Sequence, residues 1–197
     1  MNFSDNDIFP IVEENFVTPN AIKVLTEWIK KEEYLFEKHK SSIDYWNGKC
    51  IHYSNINYPE IRETLKQICL GMRKYIQMNI SYDTRYLYSE FPQIVKWKKG
   101  DEMSPHADNI EQDGVTANAS PWRSFGGVVY LNSDFEGGEI YYPNIGIKVT
   151  PRSGMIVLHP AGIKYTHGVS KITKGNRYTM VSFFSFEKEY AGFDAEN

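Results

Sequence analysis

The chain has 197 residues, of which 41% are hydrophobic and 24% are charged, and its 22 basic and 25 acidic residues leave a net charge of −3. This balance is typical of one globular domain with a hydrophobic core, and we predict a single domain over residues 1–197. It argues against a dedicated nucleic-acid-binding protein, which usually has a strongly basic surface. No apolar run approaches the ~18 residues of a membrane span, so we predict no membrane association.

The cysteines and the first residues favour the cytoplasm. Cys50 and Cys69 lie 19 positions apart without a Cys-x-x-Cys motif, which indicates two free thiols in a reducing compartment. The first 25 residues contain four acidic side chains and no apolar stretch typical of a signal peptide. We therefore expect a cytoplasmic protein.

Two helices are predicted in the N-terminal part, after a strand-like stretch at Phe9 to Phe16. Thr18 followed by Pro19 is typical of a helix start, and this helix is predicted to run to about Glu37. A second helix is predicted from Pro59 to about Met78. Both have apolar residues three and four positions apart, which indicates that one face of each packs on other elements. Residues 41–57 have no clear period and are predicted to be irregular.

From residue 85 onward the pattern changes to short β-rich segments separated by glycine and proline. This spacing predicts a sandwich or barrel of about eight strands. We predict a mainly β, α+β fold, in which residues 1–80 form helices that support an antiparallel β core over residues 85–187. The clearest predicted strands are Ile94–Trp97, Phe125–Leu131, Glu139–Tyr142, Ile145–Val149, Met155–His159 and Tyr178–Phe184.

A metal site is indicated by four residues in this β region. His106 and Asp108 are two positions apart, so on a strand their side chains point to the same face. His167 follows 59 residues after Asp108, and Arg177 follows ten residues after His167. Two histidines and one carboxylate on one face of a metal are the ligands of non-haem Fe(II) oxygenases. The guanidinium of Arg177 suits a dicarboxylate cosubstrate.

Residues Glu90 to Phe184 resemble the catalytic core of the Fe(II)- and 2-oxoglutarate-dependent dioxygenases, in particular the prolyl 4-hydroxylase-like branch. Many short motifs agree in order and in spacing. In chain order they are Glu90 and Gln93, Trp97 and Gly100, His106 and Asp108, Arg123, Tyr130–Asn132, Gly137–Glu139, Pro151 and Gly154, His167–Val169 and Gly175–Tyr178. The helices before residue 80 match this family only loosely.

The resemblance implies a double-stranded β-helix, or jelly roll, with catalytic iron on His106, Asp108 and His167. It implies that Arg177 and Tyr130 bind the distal carboxylate of 2-oxoglutarate. The implied reaction consumes dioxygen and 2-oxoglutarate, hydroxylates an unactivated C–H bond and yields succinate and carbon dioxide. Ascorbate is an optional further cofactor in this family.

Trp97 is at a position where relatives often have a tyrosine that contacts 2-oxoglutarate. An indole has a donor N–H but no hydroxyl. Trp97 is therefore predicted either to contact the cosubstrate or to serve only in packing. His159 is expected to be structural, since a facial triad needs no fourth protein ligand. Residues 109–122 are long for a strand connection and are predicted to form an active-site lid, with an ordinary loop as the alternative.

The substrate class is the most divided part of the prediction. Glu90 and Arg123 match family positions that contact a peptide, with a buried ion pair as the alternative. Met103 replaces a family tyrosine that helps to hold peptides. We predict a prolyl residue of a protein or peptide as substrate, with a small molecule or free amino acid as the alternative. A nucleic-acid demethylase and a non-catalytic metal- or ligand-binding barrel are less favoured.

Overall fold

The computed structural model describes residues 9–40, 44–80 and 83–193, and within these ranges the chain forms three α-helices and a mainly antiparallel β core. The helices are α1 (Pro19–Lys31), α2 (Tyr34–Lys38) and α3 (Pro59–Asn79). Thr18 caps α1 as predicted, because its hydroxyl accepts a hydrogen bond from the Ala21 amide at 3.3 Å. None of the described helices is both long enough and apolar enough to cross a bilayer.

The predicted end of the first helix, at Glu37, is wrong. Helix α1 ends at Lys31, and a short break at Glu32 and Glu33 separates it from α2. At this break both carboxylates contact residues that are distant in the sequence. Glu32 accepts a hydrogen bond from the Tyr58 hydroxyl at 2.5 Å, and Glu33 forms an ion pair with Lys96. These partners lie far along the chain, so helical periodicity could not show the break.

The described strands are short and follow one another through turns. In chain order they are β1 (Ile11–Glu13), β2 (Cys50–His52), β3 (Tyr88–Ser89), β4 (Gln93–Trp97), β5 (Met103–His106), β6 (Arg123–Tyr130), β7 (Glu136–Gly137), β8 (Ile140–Tyr142), β9 (Ile147–Val149), β10 (Ile156–Pro160), β11 (His167–Val169), β12 (Ile172–Lys174) and β13 (Arg177–Ser185). Each of the six segments predicted as strands overlaps a described strand, although the observed bounds differ by one to two residues at several ends. Strand β2 lies in the stretch that was predicted to be irregular, of which residues 41–43 are outside the described part.

Two antiparallel sheets form the core. The larger has the order β1-β10-β6-β13-β4-β2, with β3 also paired to β13, and the smaller has the order β5-β11-β8-β9. Val95 and Trp97 of the larger sheet pack with Val169 of the smaller one, so the two sheets face each other. This is the architecture expected of a double-stranded β-helix. Strands β7 and β12 form a separate pair.

The helices cover the outer face of the larger sheet. Met72 of α3 lies directly over Gly127 of β6, where no side chain would fit between them. Cys69 of the same helix lies 2.9 Å from the Ser182 hydroxyl of β13, measured from sulfur to oxygen. Cys50 and Cys69 are both free, as predicted, and the structure shows that both are buried. The predicted support of the β core by the N-terminal helices is confirmed.

Candidate active site

Three potential metal ligands lie together at the edge of the smaller sheet. His106 ends β5 and His167 begins β11, and the antiparallel pairing places these two residues directly opposite each other. The Nε2 atoms of His106 and His167 lie 3.8 and 3.9 Å from Oδ1 of Asp108. The ligand atoms of the three side chains all lie within 4.8 Å of one another. This set of two imidazoles and one carboxylate is suited to Fe(II).

Backbone contacts orient both imidazoles of this cluster. Nδ1 of His106 lies 3.1 Å from the carbonyl oxygen of Ser104, and Nδ1 of His167 lies 3.1 Å from that of Tyr165. If each Nδ1 carries the ring proton and donates it to its carbonyl, the Nε2 lone pair is left for a metal. Burial lowers the pKa of His167 to about 3, which keeps this ring neutral at physiological pH.

A buried arginine lies at another part of the same cavity. Arg177 is the first residue of β13, and its Cζ lies 5.0 Å from the ring centroid of Tyr130 and 5.1 Å from that of Trp97. Within the described residues, neither Nε of Arg177 nor the hydroxyl of Tyr130 has a hydrogen bond of normal geometry, although the two side chains are near enough to attract each other. Leaving such groups unpaired in the interior is unfavourable, so this pocket is complementary to an anion with several acceptor oxygens.

Trp97 packs between the sheets beside Arg177. Its Nε1 lies 3.4 Å from the hydroxyl of Thr179, so its indole donor already has an acceptor in the protein. This contact favours packing over cosubstrate binding, and the predicted role of Trp97 stays a prediction.

A cavity of about 430 Å³ joins the histidine cluster to Arg177. Strand alternation places the side chains around it, since every second residue of β13 lines the cavity, namely Arg177, Thr179, Val181 and Phe183. The remaining wall is mostly apolar. Its apolar members include Trp46, Val95, Met103, Ile140 and Val169.

Glu90 and Arg123 form an ion pair at the side of this cavity. Nε and Nη2 of Arg123 donate to the two carboxylate oxygens of Glu90 at 3.2 and 3.3 Å. The Trp122 indole N–H also donates to Glu90, at 2.9 Å, and the Arg123 guanidinium lies 3.4 Å from the ring centroid of Phe183. Arg123 lines the cavity, whereas Glu90 is not part of the lining and contacts Arg123 from outside it. Both alternatives for this pair therefore remain compatible with the geometry.

Residues 109–122, predicted to form a lid, fold into a defined loop. Ile110 and Ala117 form a β-bridge, and the carboxylate of Asp113 accepts hydrogen bonds from the amides of Val115 and Thr116, both at 2.8 Å. Four residues of the loop line the cavity, namely Glu111, Asn118, Ala119 and Ser120. The loop is thus placed to contact a bound substrate, and closure over one stays a prediction.

Comparison with known proteins finds one matching family. Residues 92–185, just under half of the chain, match the family model described as the 2OG-Fe(II) oxygenase superfamily.

Several of the similar proteins are prolyl hydroxylases. Human prolyl 3-hydroxylase 3 is 32% identical over 96 residues, which make up 43% of this chain and 13% of the human protein. The structure of the collagen prolyl hydroxylase of Paramecium bursaria Chlorella virus-1 superposes with a TM-score of 0.68 at 17% identity, covering 92% of this chain and 98% of the viral one. A Trichoplax adhaerens prolyl hydroxylase, solved with a hypoxia inducible factor peptide fragment, gives a TM-score of 0.71 at 16% identity, covering 94% and 86%.

These findings confirm the predicted resemblance to the 2OG-Fe(II) oxygenases, with prolyl hydroxylases among the similar proteins, and the double-stranded β-helix fold. The superfamily is one of dioxygenase enzymes, and its name implies Fe(II) and 2-oxoglutarate. The cluster of His106, Asp108 and His167 fits the metal, and the unpaired donors of Arg177 and Tyr130 fit a carboxylate. The matching stretch is a small part of the human protein, since the alignment spans 13% of its length.

Among the cavity residues that were not predicted as part of the site are Trp46 and His159. Trp46 lines the cavity from a stretch without any sequence period, so no local signal could have found it. His159 lies 3.8 Å from Asp108, measured from Nδ1 to Oδ2, and also lines the cavity. Its place in β10 gives a weak signal, because a histidine within an otherwise apolar strand calls for a polar partner.

Proposed function

We propose that this chain hydroxylates a C–H bond of a prolyl residue in a protein or peptide. His106, Asp108 and His167 would hold Fe(II), and Arg177 with Tyr130 would hold 2-oxoglutarate. The observation that carries the proposal is the cavity that joins a two-histidine, one-carboxylate cluster to an arginine whose buried Nε has no partner among the described residues.

The protein's own part in the reaction is binding and orientation. Bound Fe(II) with 2-oxoglutarate and dioxygen supplies the oxidising chemistry, and the co-products are succinate and carbon dioxide. Arg177 donates N–H groups to the distal carboxylate, and the hydroxyl of Tyr130 donates another hydrogen bond. The carbonyls of Ser104 and Tyr165 keep the two imidazoles turned toward the metal. Apolar walls keep bulk water away from the reacting atoms.

The prolyl substrate is supported by the relatives and by Arg123. The names of the similar proteins are those of prolyl hydroxylases, and the Trichoplax enzyme was solved with a peptide. Arg123 is held by Glu90 through Nε and Nη2, and Nη1 has no hydrogen bond within the described part of the chain. A fixed guanidinium with a free donor is well suited to a peptide carbonyl.

A free amino acid or other small molecule is the second candidate for the substrate. The observation that favours it is the pairing of Glu90 with both Arg123 and Trp122, which leaves few of its acceptor sites free for a peptide. The cavity of about 430 Å³ is also within the size range of small-molecule pockets.

The test is incubation of the purified chain with Fe(II), 2-oxoglutarate, dioxygen and ascorbate, together with proline-containing peptides or free amino acids. We expect mass spectrometry to find one added oxygen atom in a prolyl peptide and an equal amount of succinate. Asp108→Ala should abolish both products, whereas the exposed Asp83→Ala should not. Oxygen addition to a free amino acid alone would replace the peptide assignment, and absence of succinate under all conditions would remove the enzymatic one.

Arg123→Ala separates the two substrate classes. If Arg123 contacts a peptide, its loss should weaken peptide hydroxylation at least about tenfold, as expected for a lost charged hydrogen bond. Uncoupled conversion of 2-oxoglutarate to succinate should stay near the wild-type rate, because Arg123 is assigned to neither iron nor cosubstrate. Succinate assays with and without peptide measure both effects. An equal loss of both activities would indicate that the Glu90–Arg123 pair is structural.

A further inference from the structure

The two carboxylate oxygens of Asp108 have different surroundings. Oδ1 faces Nε2 of His106 and Nε2 of His167, at 3.8 and 3.9 Å. Oδ2 points the other way, is fully buried, and has no hydrogen-bond partner among the described residues. Nδ1 of His159 lies 3.8 Å from Oδ2. Oδ2 is thus a buried acceptor with one imidazole beside it.

His159 is itself held in a fixed place. It lies on β10 with 1% of its surface exposed, and its ring centroid is 4.2 Å from that of His167 and 5.5 Å from that of Tyr142. Nδ1 lies 3.3 Å from the carbonyl oxygen of Pro160. With a carbonyl and a carboxylate as its two neighbours, Nδ1 is best occupied by the ring proton, because both neighbours are acceptors.

The backbone opposite His159 leaves room for this arrangement. Gly126 of β6 pairs with His159 across the larger sheet. A Cβ at this glycine would come within 2.5 Å of Oδ2 of Asp108 and 2.9 Å of Cε1 of His159, so one side chain there would displace both groups. Glycine at position 126 therefore lets the carboxylate and the imidazole share one small space.

We propose that His159 is a positioning residue, whose Nδ1–H attracts Oδ2 of Asp108 across 3.8 Å, a contact longer than a hydrogen bond, and so directs Oδ1 toward the metal. The inference rests on the proposed function, since it requires that Asp108 is a metal ligand. His159 is not expected to bind the metal, because the cluster of converging ligand atoms consists of His106, Asp108 and His167. Groups that orient a ligand in this way typically contribute about ten- to a hundredfold to metal affinity.

Calorimetric titration of the metal-free protein with Mn²⁺ tests this role. His159→Leu keeps an apolar side chain of similar size but removes the N–H, and we expect metal affinity to fall about ten- to a hundredfold. His159→Asn retains a donor near the position of Nδ1 and should keep affinity within about threefold of wild type, whereas His159→Gln, with its donor farther out, should lose about tenfold or more. His52→Leu, outside the site, is the control and should bind as wild type.

Two further measurements separate orientation from folding. The visible absorption of bound Co²⁺ should change in His159→Leu and be restored in His159→Asn, because it reports the ligand geometry. Chemical unfolding of the metal-free proteins should show that His159→Leu is as stable as wild type, since it buries no new polar group. If His159→Leu does not fold, the metal affinities of His159→Asn and His159→Gln still test the positioning role, because the two side chains place their N–H donor at different distances from the backbone.

The outcomes distinguish this inference from the proposed function. Wild-type protein that binds no Mn²⁺, or Asp108→Ala that binds it as wild type does, would overturn the proposed metal site. Wild-type affinity and an unchanged Co²⁺ spectrum in a folded His159→Leu variant would overturn the positioning role alone. Equal losses in the Asn and Gln variants would also overturn it, because the position of the donor would then not matter.

Discussion

At the scale of single residues, the site is built from polar atoms that are buried without a partner. Nε of Arg177, the hydroxyl of Tyr130 and Oδ2 of Asp108 all lie in the interior with no hydrogen bond inside the described part of the chain. A protein that only had to be stable would pair or remove such groups, because each unpaired one costs about 1–3 kcal/mol. Asp108 and Arg177 line one cavity, and Tyr130 lies beside Arg177. These three atoms therefore mark a place prepared for ligands.

The arginine gives the first prediction at this scale. Arg177→Ala should weaken binding of 2-oxoglutarate at least about a hundredfold, because a lost charged fork corresponds to about 3 kcal/mol or more. Calorimetric titration of the Mn²⁺-loaded protein with 2-oxoglutarate measures this affinity. Arg152→Ala is the matched control, since that arginine is exposed and pairs with Glu14 at the surface. An unchanged affinity in Arg177→Ala would assign the carboxylate to another cation, such as Lys164 or Lys174.

At the scale of elements, strand alternation places the side chains of the site on one face of a strand and the side chains of the core on the other. On β13, Arg177, Thr179 and Phe183 face the cavity, whereas Met180 and Phe184 lie in the core cluster that includes the helices. The same alternation on β6 turns Gly126 toward Asp108 and Gly127 toward α3. Each central strand therefore serves both the site and the fold.

Helix α3 offers a test of this division. Met72 is fully buried against the larger sheet, so Met72→Ala should lower the free energy of unfolding by about 2–5 kcal/mol. Met78→Ala on the same helix removes a side chain that is 71% exposed, and it should change stability by less than about 0.5 kcal/mol. Urea unfolding measures both. Metal affinity should stay at the wild-type value in either variant, and a large loss in Met72→Ala would show that the two faces are coupled.

The loop at residues 109–122 gives the second prediction for an element. Its tip is open to solvent, with Val115 85% exposed, while residues 118–120 line the cavity. Amide hydrogen exchange in this loop should slow when substrate joins metal and cosubstrate, because a covering loop gains contacts at that step. The turn at residues 143–146 serves as an internal control. If exchange slows equally in the loop and in the control turn, or slows in neither, the prediction that the loop closes over substrate is wrong.

At the scale of the whole molecule, the described chain places its helices and its cavity on opposite faces of the larger sheet. Helix α3 packs over Gly127, and Asp108 lies at the other face against Gly126. A sheet held by helices on one side keeps its other face rigid, which suits a site that must hold several ligands in place. The part of the human relative that aligns with this chain spans 13% of its length, so the comparison concerns this domain and not the larger protein.

A pair of histidines outside the site predicts how stability depends on pH. The ring centroids of His39 and His52 lie 4.8 Å apart. Burial lowers the pKa of His39, and burial together with the neighbouring His39 lowers the pKa of His52. As pH falls below the ordinary histidine value of about 6.5, the unfolded chain therefore takes up protons before the folded one, and stability is lost.

Urea unfolding of the metal-free protein at about pH 7.5 and about pH 5.5 measures this loss, on either side of the ordinary histidine pKa. The double variant His39→Gln, His52→Gln should lose less stability over the same interval. Burial also lowers the pKa of His159 and of His167, so part of the loss should remain in the variant. A pH dependence identical to that of wild type would show that the pair does not contribute.

The sequence alone predicted those features that depend on neighbouring residues. The helix starts at Pro19 and Pro59 were correct, because a cap and a proline act within one turn. The positions of His106, Asp108, His167 and Arg177 followed from short motifs and from the resemblance they carry, and the structure brings all four to one cavity. The short β-rich segments between glycine and proline likewise located the central strands.

Only the tertiary structure decided the features that depend on partners far apart in the chain. The break after α1 depends on Tyr58 and Lys96, and the pairing of Glu90 joins it to Trp122 and Arg123 more than 30 positions away. His159 and Asp108, which are in contact, are separated by 51 positions in the sequence. Periodicity and capping describe energies within a few residues, whereas these contacts exist only once the sheets have packed and excluded water. Local chemistry therefore determined which groups the chain has for its site, and packing determined which of them meet.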